Sequence, residues 1–377
     1  MLCAGAVVSL TAMMPTTRDA RPEPEEWRDR SAHRTQMVTV DTGVQLEVLD
    51  WGGTGRPLLL LAGSGNTAHV FDDFAPRLTA LGRVLAVTRR GFGASSAPAA
   101  GYDVDRLGED IQQILVALDL SRVVLIGHSI AGQELSWVAT RHAERVAGLV
   151  YIDAAYRYAL HRPGILENVQ DLRSRLQALE AEIAKPPRPP AELSASIRTV
   201  MGDALEEVQR DLQDLRATPP FPGAAPAAAA TDLQSVQAYQ AWARKTMGFV
   251  LPEAELRWQR TVLEDGRVGA QRTPAAAAQA MASTGAQRFT SIDAPALAIY
   301  ASPHGLGPWS EQPGVDRVRV DAFRRFDARM TERQARWFEQ RVPGSRVVRI
   351  PNASHYAFLS HAEDVLREID AFLRTLP

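Results

Sequence analysis

The sequence predicts an α/β fold: a mostly parallel eight-stranded sheet flanked by helices, with a helical cap inserted between two of its strands. Three observations predict it. From Met37 onward, short apolar runs alternate with helix-periodic stretches, the pattern of a parallel sheet covered by helices. Several runs, such as 123–126 and 148–152, are almost continuous Val, Leu and Ile, as strands buried on both faces require. The alternation stops after Ala154 and resumes near Ala294, so about 140 residues read as an insertion.

In chain order, strands are expected at 37–40, 46–50, 57–61, 84–87, 123–126, 148–152, 296–300 and 347–350. Amphipathic stretches at 102–118 and 130–145 supply covering helices. Ser360 and Glu363 have capping-box spacing ahead of Val365, Leu366, Ile369, Phe372 and Leu373, which predicts a closing helix on the sheet. The core is therefore 37–154 and 290–377, and the cap is 155–289. Within the cap, Ile165, Val169, Leu172, Leu176, Leu179 and Ile183 form one apolar helix stripe, expected to pack on a neighbouring helix. Residues 185–190 (K-P-P-R-P-P) break that helix, 193–215 resume the pattern, and 219–230 are a Pro/Ala-rich loop.

At 377 residues the chain is long enough for about two domains, or one large domain with an insertion. Hydrophobic residues at 45% and charged residues at 23% are those of a soluble folded protein. Lys plus Arg (42) against Asp plus Glu (44) leaves a net charge of −2, without the basic excess by which proteins displace counterions from phosphates, so nucleic acid is not expected as a partner. The single cysteine, Cys3, excludes an internal disulfide framework and a multi-Cys zinc site. Residues 2–14 are apolar, but a helix needs about 20 residues to cross a bilayer. No other stretch is long enough, and no stable membrane insertion is expected. The run resembles the apolar part of a signal peptide, yet no Lys or Arg precedes it and no clear A-x-A site follows, which favours a cytoplasmic protein. Residues 16–36, rich in Arg, Pro and Glu, read as a linker, making 1–36 a leader and linker. Oligomeric state is not written in these patterns.

The chemistry is signalled after the strand at 123–126, where Gly127-His128-Ser129-Ile130-Ala131-Gly132 leads into a helical pattern. A serine on a sharp strand-to-helix turn needs small neighbours, here Gly127 and Ala131, and projects its hydroxyl beside a helix N-terminus. Serine is a weak nucleophile near its free pKa and needs a general base held by a third group. The strand at 347–350 runs into Pro351-Asn352-Ala353-Ser354-His355, which makes His355 the expected base. His128 reads as a core histidine, His33 falls in the linker, and His69 and His304 could line the site. An anionic tetrahedral intermediate needs two amide donors. Ile130, following the nucleophile, is one, and Ser64 in Ala62-Gly63-Ser64-Gly65-Asn66 is the expected second.

Together these residues resemble the α/β-hydrolase fold family over roughly 37–154 and 294–376. The elbow is G-H-S-I-A-G, the oxyanion loop L-A-G-S-G-N, the segment after the fourth strand R-R-G-F-G-A-S (89–95), and the histidine loop N-A-S-H. The resemblance implies a Ser, acid, His order, a helical cap over the site and no cofactor. Haloalkane dehalogenases and epoxide hydrolases share the layout but carry Asp at the elbow, where this chain has Ser129. In most of the family the acid follows the strand corresponding to 296–300, yet Ala301-Ser302-Pro303-His304-Gly305 holds no carboxylate, and Glu311 and Asp316 lie well downstream. Some members carry the acid after the preceding strand, which here ends in Asp153, the expected acid.

The expectation is a cofactor-independent, carboxylesterase-like serine hydrolase acting on a small apolar molecule, with Tyr156, Tyr158, Trp242, Met247 and Phe249 of the cap lining its pocket. A C–C bond or amide hydrolase and a hydrolase-like small-molecule receptor are the alternatives. Gly63-Ser64-Gly65-Asn66-Thr67-Ala68 also matches the dinucleotide fingerprint G-x-G-x-x-A, with Arg89 and Arg90 placed to suit a 2′-phosphate. The acid expected about 20 residues on is missing, and that reading leaves Ser129 and His355 without a role. Millimolar NADPH should accordingly leave the melting temperature unchanged in a thermal-shift assay. Binding at 100 times the dissociation constant would add about 2.7 kcal/mol and be plainly visible.

Overall fold

Eight strands form a sheet in the order β1-β2-β4-β3-β5-β6-β9-β10: β1 (Arg34–Asp41), β2 (Val44–Gly52), β3 (Pro57–Leu61), β4 (Arg83–Val87), β5 (Val123–His128), β6 (Val146–Ile152), β9 (Ala296–Ala301) and β10 (Arg346–Ile350). Only the β1–β2 and β2–β4 pairs are antiparallel. A short hairpin, β7 (Arg260–Val262) and β8 (Val268–Gln271), lies in the insertion. The computed structural model describes residues 27–185, 189–272 and 275–377, so the apolar run 2–14 and part of the 185–190 breaker lie outside the described residues. Residues 31–377 make one compact unit; of the preceding unit, 27–30 are described and carry no regular secondary structure.

The strand runs read from sequence form because each offers both faces for burial. In β5, Val123, Val124, Leu125 and Ile126 have no exposed surface. Full burial of such a side chain contributes about 1.5–3 kcal/mol as an upper estimate. One sheet face packs on α1 (Val104–Ala117), α2 (Ala131–Arg141) and, through Ala335 and Phe338, α9 (Arg317–Arg341). The other packs on Phe71 and Phe74 and on Phe358, Val365 and Ile369 of α10 (Ala357–Ser360) and α11 (Ala362–Leu373). Between β6 and β9 come α3 (Ile165–Ile183), α4 (Pro190–Met201), α5 (Ala204–Arg216), α6 (Val236–Met247), α7 (Glu253–Gln259) and α8 (Ala275–Ala282).

Several expectations change. The continuous pattern at 193–215 is two helices, because Gly202 (φ +49°) breaks the path between them. The apolar stripe of α3 is only half used: Leu172 and Leu179 are half-buried, while Val169, Leu176 and Ile183 are exposed. Ser360 does not cap α11. It ends α10, and its hydroxyl accepts the Ser354 amide (3.0 Å), tying down the loop before His355. The 25-residue α9 gave no helical signal because it is dominated by Arg and acidic residues. β1 begins at Arg34, inside the segment read as a linker, since an edge strand with one polar face lacks a continuous apolar run.

His33 is consequently packed against Trp51 and His69, with its Nε2 3.5 Å from Asp72. His69 is engaged by two acids. Its Nδ1 lies 3.1 Å from Asp72 and its Nε2 3.7 Å from Glu47. Burial opposes a charge on this imidazole, but its hydrogen bonds to Asp72 and Glu47 win and push its pKa up to about 10. A raised histidine stabilises the fold fully below the unfolded value of about 6.5, and that contribution disappears as pH climbs to the folded value. The difference in melting temperature between the wild type and His69→Gln should be largest near pH 6 and shrink steadily toward pH 10, measured by calorimetry across that range.

Candidate active site

β5 runs straight into the elbow. Ser129 adopts φ +54°, a conformation costly for a residue with a side chain, and α2 starts two residues later. A Cβ on Gly127 would lie 2.6 Å from the end of the Leu135 side chain and 3.2 Å from Ala131, so any larger residue would have to displace Leu135. The Ser129 amide donates to Ile152 of the neighbouring strand (3.3 Å). Its Oγ stands 2.8 Å from Nε2 of His355, which the loop after β10 delivers. His128, as expected, belongs to the core. Burial pushes its pKa down to about 3, and its neutral ring donates from Nε2 to the His355 carbonyl (2.9 Å), bracing the histidine loop.

Asp153, at the end of β6 with φ +47°, has no exposed surface. Its Oδ2 accepts from His355 Nδ1 (2.6 Å) and His304 Nε2 (2.7 Å), and its Oδ1 from the Tyr156 hydroxyl (2.7 Å) and the Ala301 amide (3.1 Å). Burial favours the neutral acid, but the hydrogen bonds from His304 and His355 hold its pKa well below the usual carboxylate range. The other two acids considered do not meet His355: Asp316 caps α9 by accepting the Arg319 amide (3.1 Å), and Glu311 lies 3.7 Å from Arg324.

His304 is therefore more than a lining residue. Its Nδ1 lies 3.0 Å from both carboxylate oxygens of Asp327 on α9, and its amide donates to Asp327 (2.8 Å). Burial works against its charge, yet the bonds to Asp153 and Asp327 push its pKa up to about 10, so it is an imidazolium at neutral pH. A continuous chain Ser129–His355–Asp153–His304–Asp327 results. Asp327 was missed entirely, and the one available signal was a histidine in the loop where the resemblance would put an acid.

The loop 62–66, the candidate oxyanion loop, is set by Arg89. Its guanidinium, held by Glu134 (2.7 Å), donates to the carbonyls of Ala62 (3.0 Å) and Gly63 (3.3 Å). In a trans peptide the N–H opposes the C=O, so the Gly63 carbonyl directed at Arg89 turns the Ser64 amide the other way. The loop lies against the elbow: a Cβ on Gly63 would be 3.2 Å from that of Ser129. Neither the Ser64 nor the Ile130 amide donates to a protein acceptor among the described residues. From the insertion, buried Glu255 on α7 accepts the Asn66 side chain (2.8 Å), the Thr67 amide (3.1 Å) and the Thr67 hydroxyl. Residues 63–68 lead into a single 3-10 turn (Ala68–Phe71), short of the helix N-terminus a pyrophosphate needs, while Arg89 and Arg90 are buried on Glu134 and Asp110.

Tyr156 and Tyr158 line a cavity of about 470 Å³ with Asp153, His304, Met330 and His355. The Tyr158 hydroxyl sits beside Ser129. Phe249 stacks on Tyr356, with 5.1 Å between ring centroids, beside the chain neighbour His355. Met247 is half-buried at the end of α6. Trp242 lines a separate cavity with Thr246 and Gln312.

The sequence profile of the α/β-hydrolase fold matches residues 56–362. A non-heme haloperoxidase of Rhodococcus erythropolis is 36% identical over 120 residues, covering 31% of this chain and 43% of that protein. Epoxide hydrolase A of Mycobacterium tuberculosis is 36% identical over 120 residues, 30% of this chain and 37% of that protein. The chain thus spans less than half the length of these relatives. Among solved structures, E-2-(acetamidomethylene)succinate hydrolase aligns over 91% of this chain and 99% of its own with a TM-score of 0.53 at 17% identity. A thermophilic esterase from Thermogutta terrifontis aligns over 91% and 98% with a TM-score of 0.51 at 18% identity. At these identities the likeness is one of fold.

Two substitutions test the shared carboxylate. Asp153→Asn should cut turnover about a thousand-fold or more, because the imidazole loses the partner that fixes its tautomer. His304→Gln takes a cationic donor from Oδ2 of Asp153, so the carboxylate is held less firmly against His355. Turnover should fall by about tenfold, less than in Asp153→Asn, with KM changed less than kcat in steady-state kinetics.

Proposed function

The chain belongs to the α/β-hydrolase fold family, and we propose that it is a serine hydrolase that cleaves a carboxylic ester through an acyl-enzyme. The observation that carries this reading is the pair of short contacts in line, Ser129 Oγ to His355 Nε2 at 2.8 Å and His355 Nδ1 to Asp153 Oδ2 at 2.6 Å. Ser129 attacks the acyl carbonyl while His355 takes its proton. The carbonyl oxygen becomes an oxyanion held by the Ile130 and Ser64 amides. Collapse expels the alcohol, which receives the proton from His355. Water, deprotonated by the same imidazole, attacks the acyl-enzyme; the carboxylic acid leaves and Ser129 is restored. No step calls for a cofactor.

Serine at the elbow supports an acyl-enzyme, in contrast to the alkyl-enzyme that an aspartate nucleophile would form. A receptor reading gains nothing from the alignment, since binding alone needs no base within hydrogen-bond distance of an unacylated serine. The cavity beside the triad is more charged than an apolar substrate requires, with Arg157, Arg162, His304 and Asp327 among its walls.

A fluorophosphonate probe should label the protein at Ser129, located by peptide mass spectrometry, because an activated serine beside two oxyanion donors attacks phosphorus quickly. Ser129→Ala should not be labelled; labelling that persists in it would refute the assignment. p-Nitrophenyl esters of increasing chain length then measure the acyl preference.

A further inference from the structure

Arg162 stands in the segment between β6 and α3, 8% exposed, and lines the same cavity as Asp153, Tyr158 and His355. Its Nε donates to Oε1 of Gln334 on α9 (3.3 Å), and Gln334 is itself anchored on the Ala155 (3.2 Å) and Leu160 carbonyls (3.5 Å). This orients the guanidinium but does not neutralise it. Its two terminal nitrogens have no acceptor among the described residues.

The acids around it are already engaged. Asp211 and Glu207 belong to Arg333 (2.6 and 3.0 Å). Glu167 is shared by Arg157 (3.3 Å), Arg288 (3.0 Å) and His161 (3.2 Å). Asp327 is bound by His304 and Asp153 by both histidines. Burial, then the nearby Arg333 and Arg157, push the Arg162 pKa down to about 10 against the pull of Asp211 and Glu207, as for a cation with no acid of its own. An arginine keeps its proton under such pressure, so the remedy is an anion.

We propose that Arg162 binds a carboxylate of the substrate, so that the ester hydrolysed here carries a second, ionised carboxyl group, as a half-ester of a dicarboxylic acid does. The inference rests on the serine-hydrolase reading. A planar, singly charged carboxylate matches the free edge of one guanidinium through two parallel hydrogen bonds. A doubly charged phosphate would have to lie in a cavity that also holds Asp153 and Asp327. Recognition at Arg162 leaves the ester carbonyl for Ser129 and orients it from the far end of the molecule, the kind of remote contact that raises effective concentration at the reacting atoms.

The test compares three substrates in the wild type and in Arg162→Gln: p-nitrophenyl hydrogen glutarate, with the charge on the acyl side; 4-carboxyphenyl butyrate, with it on the alcohol side; and neutral p-nitrophenyl butyrate. For at least one anionic ester the variant should raise KM roughly tenfold or more, the worth of a charge-assisted hydrogen-bond pair, while kcat/KM for the neutral ester stays within about twofold. Equal loss on all three esters, or no loss on any, overturns the proposal. Free glutarate should raise the melting temperature of the wild type and not of Arg162→Gln, a readout independent of turnover, and no shift in the wild type also overturns it. Fluorophosphonate labelling of Arg162→Gln at the wild-type rate verifies that Ser129 is intact. Absence of both labelling and neutral-ester hydrolysis in the wild type would instead sink the serine-hydrolase reading, leaving the glutarate shift to judge the anion site alone.

Discussion

The Asp153 carboxylate is the constraint around which the site is arranged. An ionised group with no exposed surface is tolerable only when its lone pairs are filled, and here four donors fill them, two on each oxygen. Each donor comes from a different part of the chain: the loop after β10, the loop after β9, the first turn of the insertion and the end of β9 itself. The positive φ of Asp153 is the backbone's share in this arrangement. His355 and His304 meet the same oxygen, so the position of each depends on the other. His304 is held charged by Asp153 and Asp327 together.

The second support lies beneath the oxyanion loop. Arg89 turns two carbonyls toward itself and, by peptide geometry, frees the amides on the opposite side. Its own position depends on Glu134 in α2, the helix that begins at the elbow. Ser129 and the 62–64 backbone are thus both referenced to one helix, α2.

The parts legible in the sequence are those whose cause is local. β3, β5 and β6 were readable because strands buried on both faces leave unbroken apolar runs, and Ser129 and His355 because each follows such a run in a tight, characteristic loop. Asp153 was readable as the carboxylate at the end of β6 once the loop after β9 was seen to lack one. His304–Asp327 was not, because the pair depends on α9, whose few apolar residues hide its period. Seen in the fold, Asp327, Met330, Thr331 and Gln334 fall at helical spacing on the face that walls the cavity, but that period is polar. Glu255 and Arg162 were beyond reach for the same reason: their partners lie far away in sequence, and nothing nearby requires them.

The grip of Glu255 on Asn66 and Thr67 bears on how such a protein can diversify. Inserted segments in enzymes are commonly regarded as exchangeable modules, traded to change specificity while the reaction centre stays as it was. Here the insertion itself holds the loop that lies against Ser129. A foreign insertion that lacked a carboxylate at this place would leave a threonine amide, a threonine hydroxyl and an asparagine side chain without their shared acceptor in the loop that holds Ser64. Recombination between lineages would therefore have to move residue 255 and the 66–67 pair together, coupling the history of the insertion to that of the loop beneath it.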